Sequence, residues 1–189
     1  VHQDVYEQFS EGFVKEAGKL QTGQGFDPLA DQGPLIDEAA LAKVEEHVAD
    51  AKNHGGEVIL GGQPHELGGL FYEPTVIKNA NDEMLVSYEE TFGPVAPLFS
   101  FSTEKEVIER ANNTPFGLAS YFYTRDLAKS WRVSEQLEYG IVGLNTGIIS
   151  TEMAPFGGVK ESGMGREGSK YGIDDYLEIK YISLAGIEE

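Results

Sequence analysis

The sequence predicts an α/β protein, and three observations support this fold class. Short apolar segments of strand length alternate with longer helical segments along most of the chain. The clearest helical segment, residues 37–54, has apolar residues every three or four positions. Glycine becomes dense and the periodicity disappears from residue 145 to residue 172, which is typical of functional loops on a rigid scaffold. Strands and helices that alternate in this way predict parallel or mixed sheets covered by helices.

The first half of the chain contains two predicted helices and three predicted strands. The helices are expected at residues 4–20, with Asp4 as a candidate N-cap, and at residues 37–54. Gly55 and Gly56 end the second helix, because glycine adopts the left-handed C-cap conformation at little cost. Pro74 is expected to place the second strand at an edge or a bulge. The three strands are predicted at residues 58–60, 71–77 and 95–101.

The second half continues the alternation and ends in a predicted edge strand. Thr103 and Glu106 have the spacing of a capping box at the start of a helix over residues 103–112. A strand at 118–123, a helix at 126–137 and a strand at 141–144 follow. Residues 176–184 alternate apolar and polar side chains, which predicts a strand with one more apolar face. An exposed edge strand of that length invites pairing with another chain.

The composition excludes several classes of function. The chain has 32 acidic and 14 basic residues, a net charge of −18, which argues against nucleic acid or an anionic membrane as a partner. It has no cysteine, so it forms neither a disulfide nor a thiolate metal site. No segment approaches about 18 consecutive apolar residues, and the first residues do not resemble a signal peptide. We therefore expect a cytoplasmic protein.

Two short patterns are interpreted as structural. Residues 163–168 match G-x-G-x-x-G, but no strand precedes them and too little chain follows for a βαβ unit, so we predict a turn with positive φ angles. No histidine pair has the i, i+4 spacing of a helical zinc site, so no metal site is expected. The histidines are predicted to be exposed or at helix ends: His2, His47, His54 and His65.

Two longer motifs resemble the aldehyde dehydrogenase family. They are Glu-Glu-Thr-Phe-Gly-Pro-Val at residues 89–95 and Pro-Phe-Gly-Gly-Val-Lys-Glu-Ser-Gly at residues 155–163. Enzymes of this family attack an aldehyde with a cysteine thiolate and pass a hydride to NAD or NADP. The segments at residues 145–156 and 165–181 are most similar to the succinate-semialdehyde dehydrogenases. The resemblance implies a three-layer α/β/α catalytic domain with a C-terminal oligomerisation strand.

The resemblance also implies how the chain is divided and what it lacks. Residues 1–173 would be the C-terminal portion of the catalytic domain, and residues 174–189 the oligomerisation strand and tail. A homo-oligomer would form through the strand at residues 176–184. The nucleophilic cysteine and the general-base glutamate of the family have no match here, so the chain would carry no catalytic residue. The isolated chain is expected to be inactive, as part of an enzyme that oxidises a small carboxy-aldehyde such as succinate semialdehyde.

Three residues are candidates for cofactor binding. The adjacent acids Glu89 and Glu90 either form a solvated pair, or one of them accepts two hydrogen bonds from a ribose diol. The resemblance implies that Glu90 holds the nicotinamide ribose and that Phe92 packs beside the nicotinamide. Lys43 matches a lysine that reaches the adenosine side of the cofactor in many relatives. A partner glutamine is often found where Ala40 stands here, so an ordinary surface lysine remains the alternative.

Two residues are candidates for substrate binding. Ser150 matches a serine that hydrogen-bonds the distal carboxylate of the substrate, and Phe156 would line the aldehyde tunnel. From the sequence alone, a serine in a glycine-rich loop more often serves turn formation. Two further hypotheses stay open: a naturally short, non-catalytic assembly module, and another aldehyde dehydrogenase subfamily with a different substrate.

Overall fold

The protein consists of two compact units. A computed structural model describes residues 1–187. The units are Val1–Val107 and Ile108–Glu189. The expected boundary between residues 173 and 174 concerns an oligomerisation segment and stays a prediction. Among residues 1–187, no helix has the length and the apolar character needed to cross a bilayer.

Unit 1, Val1–Val107, is built on a three-stranded mixed sheet. The central strand β2 (Thr75–Ala80) pairs with β1 (Glu57–Leu60) in antiparallel and with β3 (Val95–Phe99) in parallel orientation, as the prediction of a parallel or mixed sheet required. Its elements are α1 (Tyr6–Ala17), α2 (Glu38–Asn53), β1 (Glu57–Leu60), β2 (Thr75–Ala80) and β3 (Val95–Phe99).

The two helices of unit 1 cover opposite faces of this sheet. Successive residues of a strand point to opposite faces, and both Val76 and Ile77 of β2 are buried. Val76 packs in a cluster with Tyr6 of α1, whereas Ile77 packs in another with Val44 and Val48 of α2. Unit 1 therefore has one helix on each face. The three-layer arrangement of a complete catalytic domain stays a prediction.

The predicted limits of the first helix are wrong, whereas those of the second helix are right. Asp4 is not an N-cap: it lies in a 3-10 turn, Gln3–Val5, and its N–H donates to His2 Nδ1 at 3.3 Å. The α-helix then begins at Tyr6 and ends at Ala17 instead of residue 20. Asp37, in contrast, caps α2 by accepting the Ala40 N–H at 2.8 Å. Gly55 follows α2 with a φ of 89°, as predicted for a helix end.

The second predicted strand is also shifted. The strand β2 begins at Thr75 and lies at the centre of the sheet, not at an edge. Proline has no N–H to donate to a ladder, so Pro74 precedes the strand. Phe71 and Tyr72 are nevertheless buried. Because burial removes water from the Tyr72 hydroxyl, and because the negative charges of Glu45 and Glu73 act in the same direction, the pKa of Tyr72 is raised to about 12. The apolar segment thus indicated burial correctly, but only its last part, from Thr75 on, belongs to the strand.

The elements of the second half agree closely with the predictions. Thr103 caps the helix as predicted, because its Oγ1 accepts the Glu106 N–H at 3.2 Å. The second bond of the predicted capping box is shifted by one residue, since the Glu106 carboxylate accepts the N–H of Ser102 at 2.9 Å. In unit 2, Ile108–Glu189, the strands β4 (Ala119–Phe122) and β5 (Ile141–Leu144) form a parallel pair. The elements are α3 (Glu104–Asn112), β4 (Ala119–Phe122), α4 (Leu127–Gln136) and β5 (Ile141–Leu144).

The predicted strand at residues 176–184 is not formed within the chain. A 3-10 turn, Asp174–Tyr176, is followed by irregular backbone to residue 187. A strand requires a ladder partner, and no described residue supplies one to this segment. The side chains of Ile179 and Tyr181 are 101% and 88% exposed. Pairing with another chain stays a prediction, and residues 188 and 189 of the predicted tail lie outside the described residues.

Candidate functional site

The first motif forms a loop that leads into β3. It follows a 3-10 turn, Leu85–Ser87, and its last residue before the strand, Pro94, accepts the N–H of Thr75 at 2.8 Å. Glu90 is exposed, and the Phe92 side chain is 81% exposed with a backbone φ of 51°. A non-glycine residue in the left-handed region costs about 1–2 kcal/mol. The loop thus presents a carboxylate and a strained aromatic residue to the surroundings.

Helix α2 contacts this loop and the turn before it at two points. The Asp50 carboxylate accepts the N–H of Leu85, at the start of the 3-10 turn, at 2.7 Å. At the other end of the loop, a Cβ on Gly93 would collide with Val44 Cγ2. Glycine at position 93 therefore permits the backbone to lie directly against α2, and the motif glycine has a packing role.

His47 joins α2 to the middle of the same loop. It is fully buried, so the prediction of an exposed or helix-terminal histidine is wrong for His47. Its Nδ1 lies 2.9 Å from Thr91 Oγ1, and its Nε2 lies 3.4 Å from Glu89 Oε2. In the sequence, His47 lies three residues after Val44 and four residues before Ala51, so helical spacing places it on the apolar face of α2 together with Val48. Sequence reasoning missed this signal.

Lys43 lies on the same helix, one turn before His47. Its side chain is half-buried, next to the buried Val44. The structure therefore places the three candidate cofactor residues on α2 and on the loop that α2 supports. No other element of unit 1 carries a candidate site residue.

In unit 2, the loop that carries Ser150 is fixed at both ends. Asn145, with a φ of 54°, accepts the Thr124 N–H at 2.9 Å and donates to the Thr124 carbonyl at 2.8 Å. Further along, the Glu152 carbonyl accepts the Ser169 N–H at 2.8 Å. Ser150 itself is exposed between these anchors.

Phe156 ends this loop and is half-buried. It exchanges two backbone hydrogen bonds with Glu167, of 2.9 and 2.7 Å. A Cβ on Gly157 would lie 2.6 Å from the Gly165 carbonyl oxygen, and Arg166 Nη1 donates to the Gly158 carbonyl at 2.7 Å. The glycines of the second motif thus allow two backbone segments to approach, which holds Phe156 in place.

The turn predicted for residues 163–168 is confirmed. Gly163, Gly165 and Gly168 have φ angles of 108°, 83° and 65°, a region that side chains rarely adopt. No strand of residues 1–187 leads into this turn, which differs from the dinucleotide fingerprint in that respect. In the described part of the chain, no group of three or more His, Cys, Asp or Glu side chains is placed to hold a metal ion.

Comparison with known proteins assigns the family. The sequence profile of the aldehyde dehydrogenase family matches residues 1–182. The chain therefore belongs to the aldehyde dehydrogenase family, which is a family of oxidoreductases. This agrees with the resemblance of the two motifs.

Individual relatives are similar over nearly the whole chain. The 3-sulfolactaldehyde dehydrogenase of Pseudomonas putida is 58% identical over 188 residues, which cover 100% of this chain and 39% of that protein. The NADP(+) succinate-semialdehyde dehydrogenase of Escherichia coli (strain K12) is 58% identical over 184 residues, 97% of this chain and 38% of that protein. The crystal structure of succinate-semialdehyde dehydrogenase from Burkholderia pseudomallei superposes with a TM-score of 0.94 and 55% identity, covering 96% of this chain and 38% of that one.

The chain thus spans about two fifths of the length of these relatives (39% of the Pseudomonas putida protein). This share measures how much is matched and does not give the position of the match along the relatives. The expected position after the nucleophilic cysteine therefore stays a prediction.

Proposed function

We propose that this chain works as part of an NAD(P)-dependent aldehyde dehydrogenase that oxidises a small aldehyde with an anionic group at its far end. The observation that carries the proposal is the loop at residues 89–94, which presents Glu90 and Phe92 while α2 supports it. Two relatives, named for succinate semialdehyde and for 3-sulfolactaldehyde, support an aldehyde with a distal carboxylate or sulfonate. Succinate semialdehyde is the first candidate substrate.

In this proposal, unit 1 orients the cofactor. The Glu90 carboxylate accepts two hydrogen bonds from the nicotinamide ribose diol, since a charged acceptor strengthens such bonds. Phe92 packs beside the nicotinamide, and Lys43 reaches the adenosine side. Fixing the ribose orients the ring for hydride transfer, and correct orientation is a major contribution to rate.

The chemical step itself requires a nucleophile from outside these residues. The 189 residues contain no cysteine, so the thiolate that adds to the aldehyde must lie elsewhere in the encoded protein. In the proposal, the matched part follows that cysteine in the sequence. The pure 189-residue chain is expected to form no NAD(P)H from succinate semialdehyde, whereas the complete encoded protein does. A measurable rate from the pure chain would contradict this assignment.

Unit 2 contributes Ser150 and Phe156 to the substrate site in this proposal. We expect Ser150→Ala in the complete protein to raise the KM for succinate semialdehyde about tenfold, because one hydrogen bond to a charged group is lost. The KM for butanal, which lacks the carboxylate, should change less than about twofold. Steady-state kinetics with both aldehydes measure the difference. Equal changes for the two would remove Ser150 from carboxylate recognition.

We also propose that residues 176–184 mediate homo-oligomer formation. Pairing with another copy is supported by the exposed apolar side chains of Ile179 and Tyr181 and by the lack of a ladder partner in the described part of the chain. Ile179→Lys in the complete protein should shift the sedimentation coefficient towards a smaller species. The matched control is Leu29→Lys, because Leu29 of unit 1 is also exposed, at 76%. Identical sedimentation of the Ile179 variant and the unmodified protein would contradict this role.

A further inference from the structure

We infer that His47 is a positioning residue for Glu90 and that it acts through Thr91. The inference rests on the proposed function, because it concerns the loop that would hold the nicotinamide ribose. His47 lies on α2, not on the loop, and its ring is fully buried against Thr91 and Glu89, the residues that precede Phe92 and Glu90 in the chain. It therefore acts on the proposed cofactor site through its neighbours.

The contacts between α2 and the loop form an ordered series. Asp50 accepts the Leu85 N–H at the beginning of the series, at 2.7 Å, and Val44 packs over Gly93 at its end. Positions 44, 47 and 50 lie on one side of the helix, since side chains three residues apart are neighbours. The loop therefore runs along α2 in the opposite direction to the helix, and His47 makes the contact in the middle.

The hydrogen-bonding groups fix the direction of both bonds in a neutral imidazole. The Glu89 carboxylate only accepts, so Nε2 carries the hydrogen that points to Glu89 Oε2 at 3.4 Å. Nδ1 is then an acceptor, and the Thr91 hydroxyl donates to it at 2.9 Å. This tautomer is assigned from the hydrogen-bond partners. It satisfies every polar atom of the buried ring.

The two contacts of His47 together restrain the backbone of Glu90. Glu90 is flanked by Glu89 and Thr91, and both contact the same ring. The Glu90 backbone is thus held on each side while its own side chain remains exposed. Loss of the Thr91 hydroxyl would free one side and leave Nδ1 without a donor inside the protein, which is costly for a buried group.

The test compares Thr91→Val, which has nearly the same shape without the hydroxyl, with Thr91→Ser, which keeps it. We expect Thr91→Val to weaken NAD(P) binding to the complete protein about tenfold, and Thr91→Ser to stay within about twofold. In the 189-residue chain, ¹⁵N order parameters of residues 89–93 should fall in Thr91→Val and be retained in Thr91→Ser. His47→Leu should reproduce the valine result.

A stability control separates positioning from general destabilisation. Val48→Ala truncates a buried side chain of α2 that faces the core cluster, so it should lower Tm and leave the cofactor Kd unchanged. Unchanged order parameters in Thr91→Val would overturn the inference, and so would a loosened loop with an unchanged Kd. In the latter case, Glu90→Gln decides whether the proposed function fails as well: it still weakens binding if Glu90 contacts the ribose, and has no effect if it does not.

Discussion

Replacing Glu90 by glutamine in the complete protein should lower kcat/KM for NAD(P) on the order of 100-fold, because in the proposed role of Glu90 two charge-assisted hydrogen bonds to the ribose would be weakened. Part of the loss should appear in kcat, since a ribose that is less well held leaves the nicotinamide poorly oriented. Initial rates at varied cofactor concentration and saturating aldehyde measure both effects.

The matched control for this prediction is Glu66→Gln. Glu66 is an exposed carboxylate of unit 1 outside the loop, and the substitution removes the same single charge. A large net negative charge disfavours any anionic ligand over long range, and the control measures that general contribution. If the two variants have equal kinetics, the role of Glu90 as a ribose acceptor is wrong.

The second large effect is expected at Gly140, which precedes β5. A Cβ there would collide with the carbonyl oxygen of Gly157 and would lie 3.0 Å from Gly158 Cα. Backbone atoms cannot move aside as a flexible side chain can, so Gly140→Ala should lower the free energy of unfolding by about 3 kcal/mol. Chemical denaturation of the 189-residue chain, followed by circular dichroism, measures the change.

Gly147 provides the control for this substitution. It lies in the same unit, its φ is not positive, and an added Cβ would meet no atom within 4 Å. Gly147→Ala should therefore change the free energy of unfolding by less than about 0.5 kcal/mol. Similar stability of the two alanine variants would show that the close approach of Gly140 to the second motif does not exist in solution.

The helices and strands were predictable where local chemistry defines them. Asp37 and Gly55 set the limits of α2, and Thr103 with Glu106 sets the start of α3, through contacts between residues three or four positions apart. The strand β5 was predicted with its observed bounds, Ile141–Leu144. Signals of this kind lie entirely within the segment that they define.

Predictions from the sequence failed where the interacting residues are far apart in the chain. The strand β2 is central because β1 and β3 pair on both sides of it, which Pro74 alone does not reveal. Residues 176–184 have the alternation of a strand but pair with no strand among residues 1–187. His47 appeared to be one of several scattered histidines, since its partners Thr91 and Glu89 are more than 40 residues away.

In the candidate site, too, some residues were found from the sequence and others only from the structure. The motifs identified the presented residues Glu90, Phe92, Ser150 and Phe156, and the structure places the first three on exposed loop positions and Phe156 half-buried at a loop end. The structure adds the supporting contacts, because Val44, Asp50 and His47 of α2 are recognised only once the loop is folded against them. Motif reasoning thus found exposed loop residues, whose contact with a ligand stays a prediction, and missed the residues of α2 that hold the first loop.

The most direct test of the central claim is a double-mutant cycle between Glu90 and the nicotinamide ribose. Calorimetry on the complete protein would give the Kd of NAD(P) and of an analogue lacking one hydroxyl of that ribose, for the unmodified protein and for Glu90→Gln. If Glu90 holds the ribose, the unmodified protein prefers NAD(P) by about tenfold and Glu90→Gln loses this preference. The same preference in both proteins would contradict the claim that Glu90 holds the ribose.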